Sequence, residues 1–236
     1  MLLVSQVLWA QTQFAGWAAT FQNYKLNSRI GVYFDGQWRS TGQVQQMHAL
    51  LLRPGVNFYF NPSFTGTVGY AFIPQLRSAG EVTGYLPEHR VWEQMVFTHR
   101  MSMGKHRSQA MVSHRVRLEQ RHIPRYHREG NALAGDGHHY AGRLRYFVRG
   151  VVPMGQQTAR FEKGWFAALQ NEIFFNTGGY SSTGKTFDQN RAYLAAGYRL
   201  SSQLDLEMGY MNQYISGAGQ ASTNNHILQV ATYLRL

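Results

Sequence analysis

Two stretches, Ser113-His-Arg-Val-Arg-Leu-Glu-Gln-Arg121 and Arg143-Leu-Arg-Tyr-Phe-Val-Arg-Gly150, decide how this chain reads. In the first, Ser113, Arg115, Arg117, Glu119 and Arg121 take every second position, with Val116 and Leu118 between them. In the second, Arg143, Arg145 and Arg149 alternate with Leu144, Tyr146 and Val148. A period of two is that of a β-strand, and a strand with one charged and one apolar face needs a different medium on each side. The pattern recurs along the chain in segments of about ten residues, the length of a strand that crosses a bilayer at a tilt.

The composition fits that reading and excludes others. The chain has 236 residues, 44% of them hydrophobic and 14% aromatic, with 24 glycines and 6 prolines, and no stretch has the composition of a linker. There is no apolar run of about 18 residues, so a helical span is excluded, whereas a strand-built membrane protein needs only alternate apolar residues. With no cysteine, disulfides and thiolate-bound metals are excluded. The formal charge of +11 would suit a nucleic acid or acidic partner. Here, however, the arginines fall on alternate strand positions beside Glu and Gln, and no Lys/Arg run of five occurs, so nucleic acid is not expected as a partner. Residues 1–10, ending in Trp9-Ala10, read as the remnant of a secretory signal without its basic start, and 11–236 as one barrel domain.

Strands are predicted near 14–25, 29–39, 48–60, 65–76, 88–100, 113–121, 143–152, 165–176, 187–200, 204–215 and 226–236. Glu93 shares the parity of Val91, Met95 and Phe97, which predicts a bulge, and Pro54 predicts another irregularity. Long polar loops near 40–47, 77–87, 122–139, 177–186 and 216–225 are expected to alternate with tight turns near 26–28, 61–64, 102–107 and 200–203, an asymmetry shown by outer-membrane barrels. The stretch 153–164 breaks the alternation. The fold expected is all-β, a closed antiparallel transmembrane barrel of 10–12 strands. Eleven segments are read, but twelve is preferred because single-chain bacterial barrels close with an even number. Val116, Leu118, Leu144, Val148, Ile173, Leu206 and Met208 should face lipid. Glu88, Arg90, Arg115, Arg117, Glu119, Arg121, Arg143, Arg145, Glu172, Arg191 and Glu207 should face a narrow lumen as an ionic network.

Glu88-His-Arg90, Arg115-Val-Arg117-Leu-Glu119-Gln-Arg121, Arg143-Leu-Arg145, Glu172, Phe187-Asp-Gln-Asn-Arg191 and Gly209-Tyr210 resemble the motifs of an uncharacterised bacterial outer-membrane β-barrel family, domain of unknown function 2490. The resemblance covers nearly the whole chain. It implies a barrel in the outer membrane and no particular activity.

Three function classes follow. The first, which is the reading favoured, is a largely sealed barrel with a structural or partner-binding role, meeting outer-membrane lipid, lipopolysaccharide and a protein partner; Lys105, Arg107, Arg125 and Arg128 are candidate contacts to lipopolysaccharide phosphates or a partner, and only those on the long-loop side could reach the phosphates. The second is a small-solute channel preferring anions. The third is a membrane enzyme, and it is not the reading favoured: Ser113 and His114 are adjacent on a strand, so they point to opposite faces and cannot act together. No cofactor is implied. His122, His127, His138 and His139, near Glu129 and Asp136, are candidate metal ligands by residue type, although their spacing matches no fixed ligand motif.

Overall fold

The computed structural model describes residues 11–103, 108–155 and 161–236. Among these, eleven strands are β1 (Gln11–Lys25), β2 (Ile30–Thr41), β3 (Gln46–Asn61), β4 (Phe64–Ala79), β5 (Val82–Met103), β6 (Ser108–Glu129), β7 (Ala132–Pro153), β8 (Gly164–Gly179), β9 (Phe187–Ser201), β10 (Leu204–Ser216) and β11 (Ser222–Arg235). Each pairs antiparallel with its chain neighbour, and the sheet closes by pairing β1 with β11. That last pairing is parallel, in unbroken register from Gln11↔Thr223 to Asn23↔Arg235. An odd number of up-and-down strands leaves the first and last running the same way, so the preference for twelve gives way to eleven with one parallel seam. The signal remnant read at 1–10, with Lys105 and Arg107, lies outside the described residues.

The alternation in sequence becomes a division between two media. Val116, Leu118, Leu206 and Met208 are exposed on the outer wall, 41–55% of each accessible, and Leu144, Val148 and Ile173 share that face. The inward positions are buried. They include two apolar clusters, one around Trp17, Phe166, Tyr193 and Ile227, the other around Tyr33, Leu51, Ile73 and Trp92. The Trp92 ring lies so close over Gly69 that a Cβ there would sit 2.2 Å from it, and Phe166 lies equally close over Gly197. Glycine at these wall positions makes room for the aromatic plugs.

Two expectations are corrected. Of the long loops, 77–87 and 122–139 are mostly strand, whereas 177–186 stays largely a loop between β8 and β9. The stretch 122–139 continues β6 and β7 as a two-stranded ribbon, turning at Gly130 with φ 59°. It rises past its neighbours, since β5 pairs with β6 only as far as His89↔His122 and β8 joins β7 only from Ala141↔Gly179. The asymmetry between the two ends of the barrel therefore lies in strand overhang more than in loop length. No bulge occurs at Glu93: it keeps the outer-face parity of Val91 and Met95 and accepts a hydrogen bond from Gln120 Nε2 at 2.9 Å. An amide donor on the adjacent strand allows a carboxyl group at that position without breaking register. The irregularity expected at Pro54 is present: it pairs with Phe34 without a register shift, but the β3–β4 ladder is interrupted around it, with partners at Leu52 and Gly55.

Candidate functional site

The chemistry of the molecule is concentrated in its lumen. The inward positions of four adjacent strands carry the charge, Glu88 and Arg90 on β5, Arg115, Arg117, Glu119 and Arg121 on β6, Arg143, Arg145 and Arg149 on β7 and Glu172 on β8, and the antiparallel register brings opposite signs together. Glu119 pairs in register with Arg143, which donates from Nε at 3.0 Å and Nη2 at 2.6 Å. Arg145 and Arg90 add further bonds to the same carboxylate. Glu172 accepts from Arg145 at 2.7 Å and Arg115 at 2.8 Å, and Glu88 accepts from Arg90 at 2.7 Å and Arg121 at 2.6 Å. Glu88, Glu119 and Glu172 are all buried, and each has at least two guanidinium donors, the arrangement that makes a buried carboxylate tolerable.

The remaining lumen residues bind differently. Arg117 has no close carboxylate, lying 3.9 Å from Glu119, and instead donates twice to Gln94 Oε1 with its guanidinium 4.5 Å from the Trp92 ring. Arg191 lies 3.9 Å from Glu172 and over the Trp17 and Phe174 rings. Glu207 is held by Arg149 across the lumen and by the hydroxyls of Tyr193 at 3.1 Å and Tyr233 at 3.2 Å.

Sequence reasoning missed Arg149 as the partner of Glu207, the Arg53–Asp35 pair at 2.7 Å, and the Arg199–Asp205 pair at 2.7 Å. Their parity was legible, but the partners were not. It also missed Trp17 and Arg39. Arg39 lies 3.9 Å over the Trp17 ring and donates to Gln37 Oε1, so its near partners are an amide and a π-face.

Three chambers follow the lumen. The middle one, about 350 Å³, is lined by Arg39, Arg53, Arg90, Arg121, Arg143, Arg145 and Arg191, and among the described residues no carboxylate lines it. Glu88 and Glu119 lie behind their arginines, so the chamber meets guanidinium groups. A second chamber of about 590 Å³ at the overhang end shares Arg121, Arg143, Gln75 and Gln189 with it. A third of about 250 Å³ toward the turn end shares Trp17, Arg39, Arg53, Arg145 and Arg191. Those five shared residues form the neck between the middle and lower chambers.

The histidines proposed as metal ligands are dispersed. His127 Nδ1 meets Asp136 at 2.7 Å, His138 packs against His89, His122 against Tyr140, and His139 stacks on Tyr180. Among the described residues, no group of three or more His, Cys, Asp or Glu is placed to hold a metal ion. On the ribbon, Arg125 and Arg128 donate to the carbonyls of Asp136 and Gly130. Ser113 faces inward toward Thr98, while His114 lies on the outer wall against Tyr146.

Comparisons with known proteins agree with this architecture. No curated protein matches the chain. Among solved structures, a NanC porin superposes with a TM-score of 0.50 at 8% identity, covering 94% of this chain and 98% of that one. At that identity the likeness shows the fold alone: a closed, porin-like β-barrel. A model of a family described as proteins of unknown function, DUF2490, matches residues 14–225, and the chain belongs to that family.

Proposed function

We propose that the protein is an outer-membrane barrel that passes small anions through a narrow, guanidinium-lined lumen. The short-turn end would face the periplasm and the β6–β7 ribbon the exterior. The observation that carries this reading is the middle chamber, with seven arginines and no carboxylate on its surface among the described residues. A low-dielectric wall focuses that positive field, which attracts anions and repels cations. The chambers share lining residues from one end to the other, as a path for a small solute requires. The neighbouring NanC structure is titled a porin, and that likeness of fold is consistent with a conduit.

The sealed scaffold is the second reading. The pairs Arg149–Glu207, from β7 to β10, and Arg143–Asp188, from β7 to β9, reach across the lumen and narrow it. Planar-bilayer recording of the purified chain in a potassium chloride gradient separates the two. Unitary currents with a reversal potential toward that of chloride are expected. A silent bilayer containing folded protein, or a cation-selective current, would defeat the conduit.

A further inference from the structure

Two of the seven arginines around the middle chamber lack a close carboxylate. Arg39 is held by the neutral amide of Gln37 and the face of Trp17. Arg191 is held by the Trp17 and Phe174 rings, with Glu172 at the limit of ion-pair distance, 3.9 Å. Gln213, with its amide oxygen turned toward Arg191 as the hydrogen-bond network requires, accepts from Nη2 at 3.1 Å and Nε at 3.2 Å. Amides and rings fix the orientation of these two cations but do not neutralise them. They flank one tryptophan at the neck, and each lines both the middle and the lower chamber.

The walls of the chamber are unequal. β6 lies opposite the β1–β11 seam in the strand order, so the arginines of β5 to β7 face a wall that is apolar beside the neck, at Ala15, Trp17 and Ile227, and polar farther out, at Gln13, Asn225 and Thr223. A purely inorganic anion gains nothing from that apolar side. An anion with a hydrocarbon flank uses both sides, and pockets that combine a few convergent polar groups with apolar lining select such ligands.

We infer that the middle chamber is a saturable binding site for a small organic carboxylate, whose carboxylate is the missing counter-ion of Arg39 and Arg191 and whose hydrocarbon part lies against the seam wall. A guanidinium fork meets a carboxylate with two parallel hydrogen bonds, and the amides and rings have already oriented it. The inference deepens the anion-conduit reading and depends on it only for access.

Isothermal titration of the detergent-solubilised full chain with sodium benzoate, and separately with sodium phosphate, tests it. Benzoate should saturate one site per chain at about millimolar concentration, at least tenfold tighter than phosphate. Arg39→Gln with Arg191→Gln should weaken benzoate at least tenfold. Arg39→Lys, which keeps the charge of a half-buried residue and loses the fork, should weaken it at least threefold and keeps the test available if the double variant does not fold. Phosphate binding as tightly as benzoate would overturn the organic-carboxylate assignment, and so would a linear, unsaturated benzoate isotherm. Bilayer recording is independent of this titration. Chloride current without benzoate saturation defeats the site and leaves the conduit, whereas saturation in a silent barrel defeats the conduit and leaves the site.

Discussion

The β5–β8 wall and the β1–β11 seam face each other across one lumen and are built by different means. The first is antiparallel and carries Glu88, Glu119 and Glu172 with Arg90, Arg115, Arg121, Arg143 and Arg145 in a continuous ionic network. The second is parallel, and its inward residues in the membrane span are apolar groups and amides such as Ala15, Trp17, Ile227, Ala231 and Gln229. Cross-strand charge pairing holds one wall, while backbone pairing and small-residue packing hold the other. The two walls are therefore unlike: one supplies its own paired charges, while the other is uncharged and meets cations only where Arg39 and Arg191 lie over Trp17.

The largest expected effect breaks the charged wall. Glu119 is 2% exposed and accepts hydrogen bonds from three arginines, Arg90, Arg143 and Arg145. Arg90, Arg143 and Arg145 keep Glu88, Asp188 and Glu172, but Glu119→Ala leaves the buried cluster with one uncompensated positive charge and should cost about 3–5 kcal/mol if the site stays dry. Reversible denaturant unfolding in lipid vesicles measures it. A cost below about 1 kcal/mol would mean that water and ions already screen the network, which favours a wide, wet lumen.

A second test asks whether the two walls differ only on the inside. Val116 on β6 and Val230 on β11 both lie on the outer wall, 46% and 45% exposed. Val116→Arg and Val230→Arg should each cost roughly 2–4 kcal/mol near the midplane, because the outer medium is the same for both. A clearly smaller penalty at Val230 would indicate that the seam is shielded from lipid, and the symmetry of the outer wall would fail.

The same comparison explains what could be read from the sequence. The alternation of Arg115, Arg117 and Glu119 with Val116 and Leu118 reveals strand and face, since a one-residue slip would turn every arginine to the outer wall. Closure was not legible. The alternation in β1, with Ala15 and Trp17 inward and Phe14 and Ala18 outward, is the same whether its partner runs parallel or antiparallel. The ribbon at 122–139 reads as a loop because both of its faces meet water, which removes the apolar period that marks a strand. Arg39 and Arg191 were recognisable as inward-facing, yet their lack of a carboxylate depends on register and rotamer across non-neighbouring strands. Trp17 carried no signal beyond an aromatic residue at an inward position.

The smallest effect tests the seam itself. Thr20 on β1 and Thr232 on β11 pair in register, and the Thr232 hydroxyl donates to Thr20 Oγ1 at 3.0 Å. This is a side-chain hydrogen bond between the parallel strands on the outer side of the wall. Such bonds in membranes average about 0.6 kcal/mol, because the unfolded chain in lipid also finds partners for its polar groups. Thr20→Val keeps the branched shape, and the paired Thr232→Val keeps it on the other side. A double-mutant cycle should therefore return a coupling of about 0.6 kcal/mol, with a total loss well below that of Glu119→Ala. The backbone ladder from Gln11↔Thr223 to Asn23↔Arg235 remains in all four proteins, so closure should survive. If Thr20→Val alone opened the barrel, as read by protease cleavage within β1, the seam would depend on side-chain bonds after all. The contrast with the charged wall would then be one of degree, with few polar links on one side and many on the other.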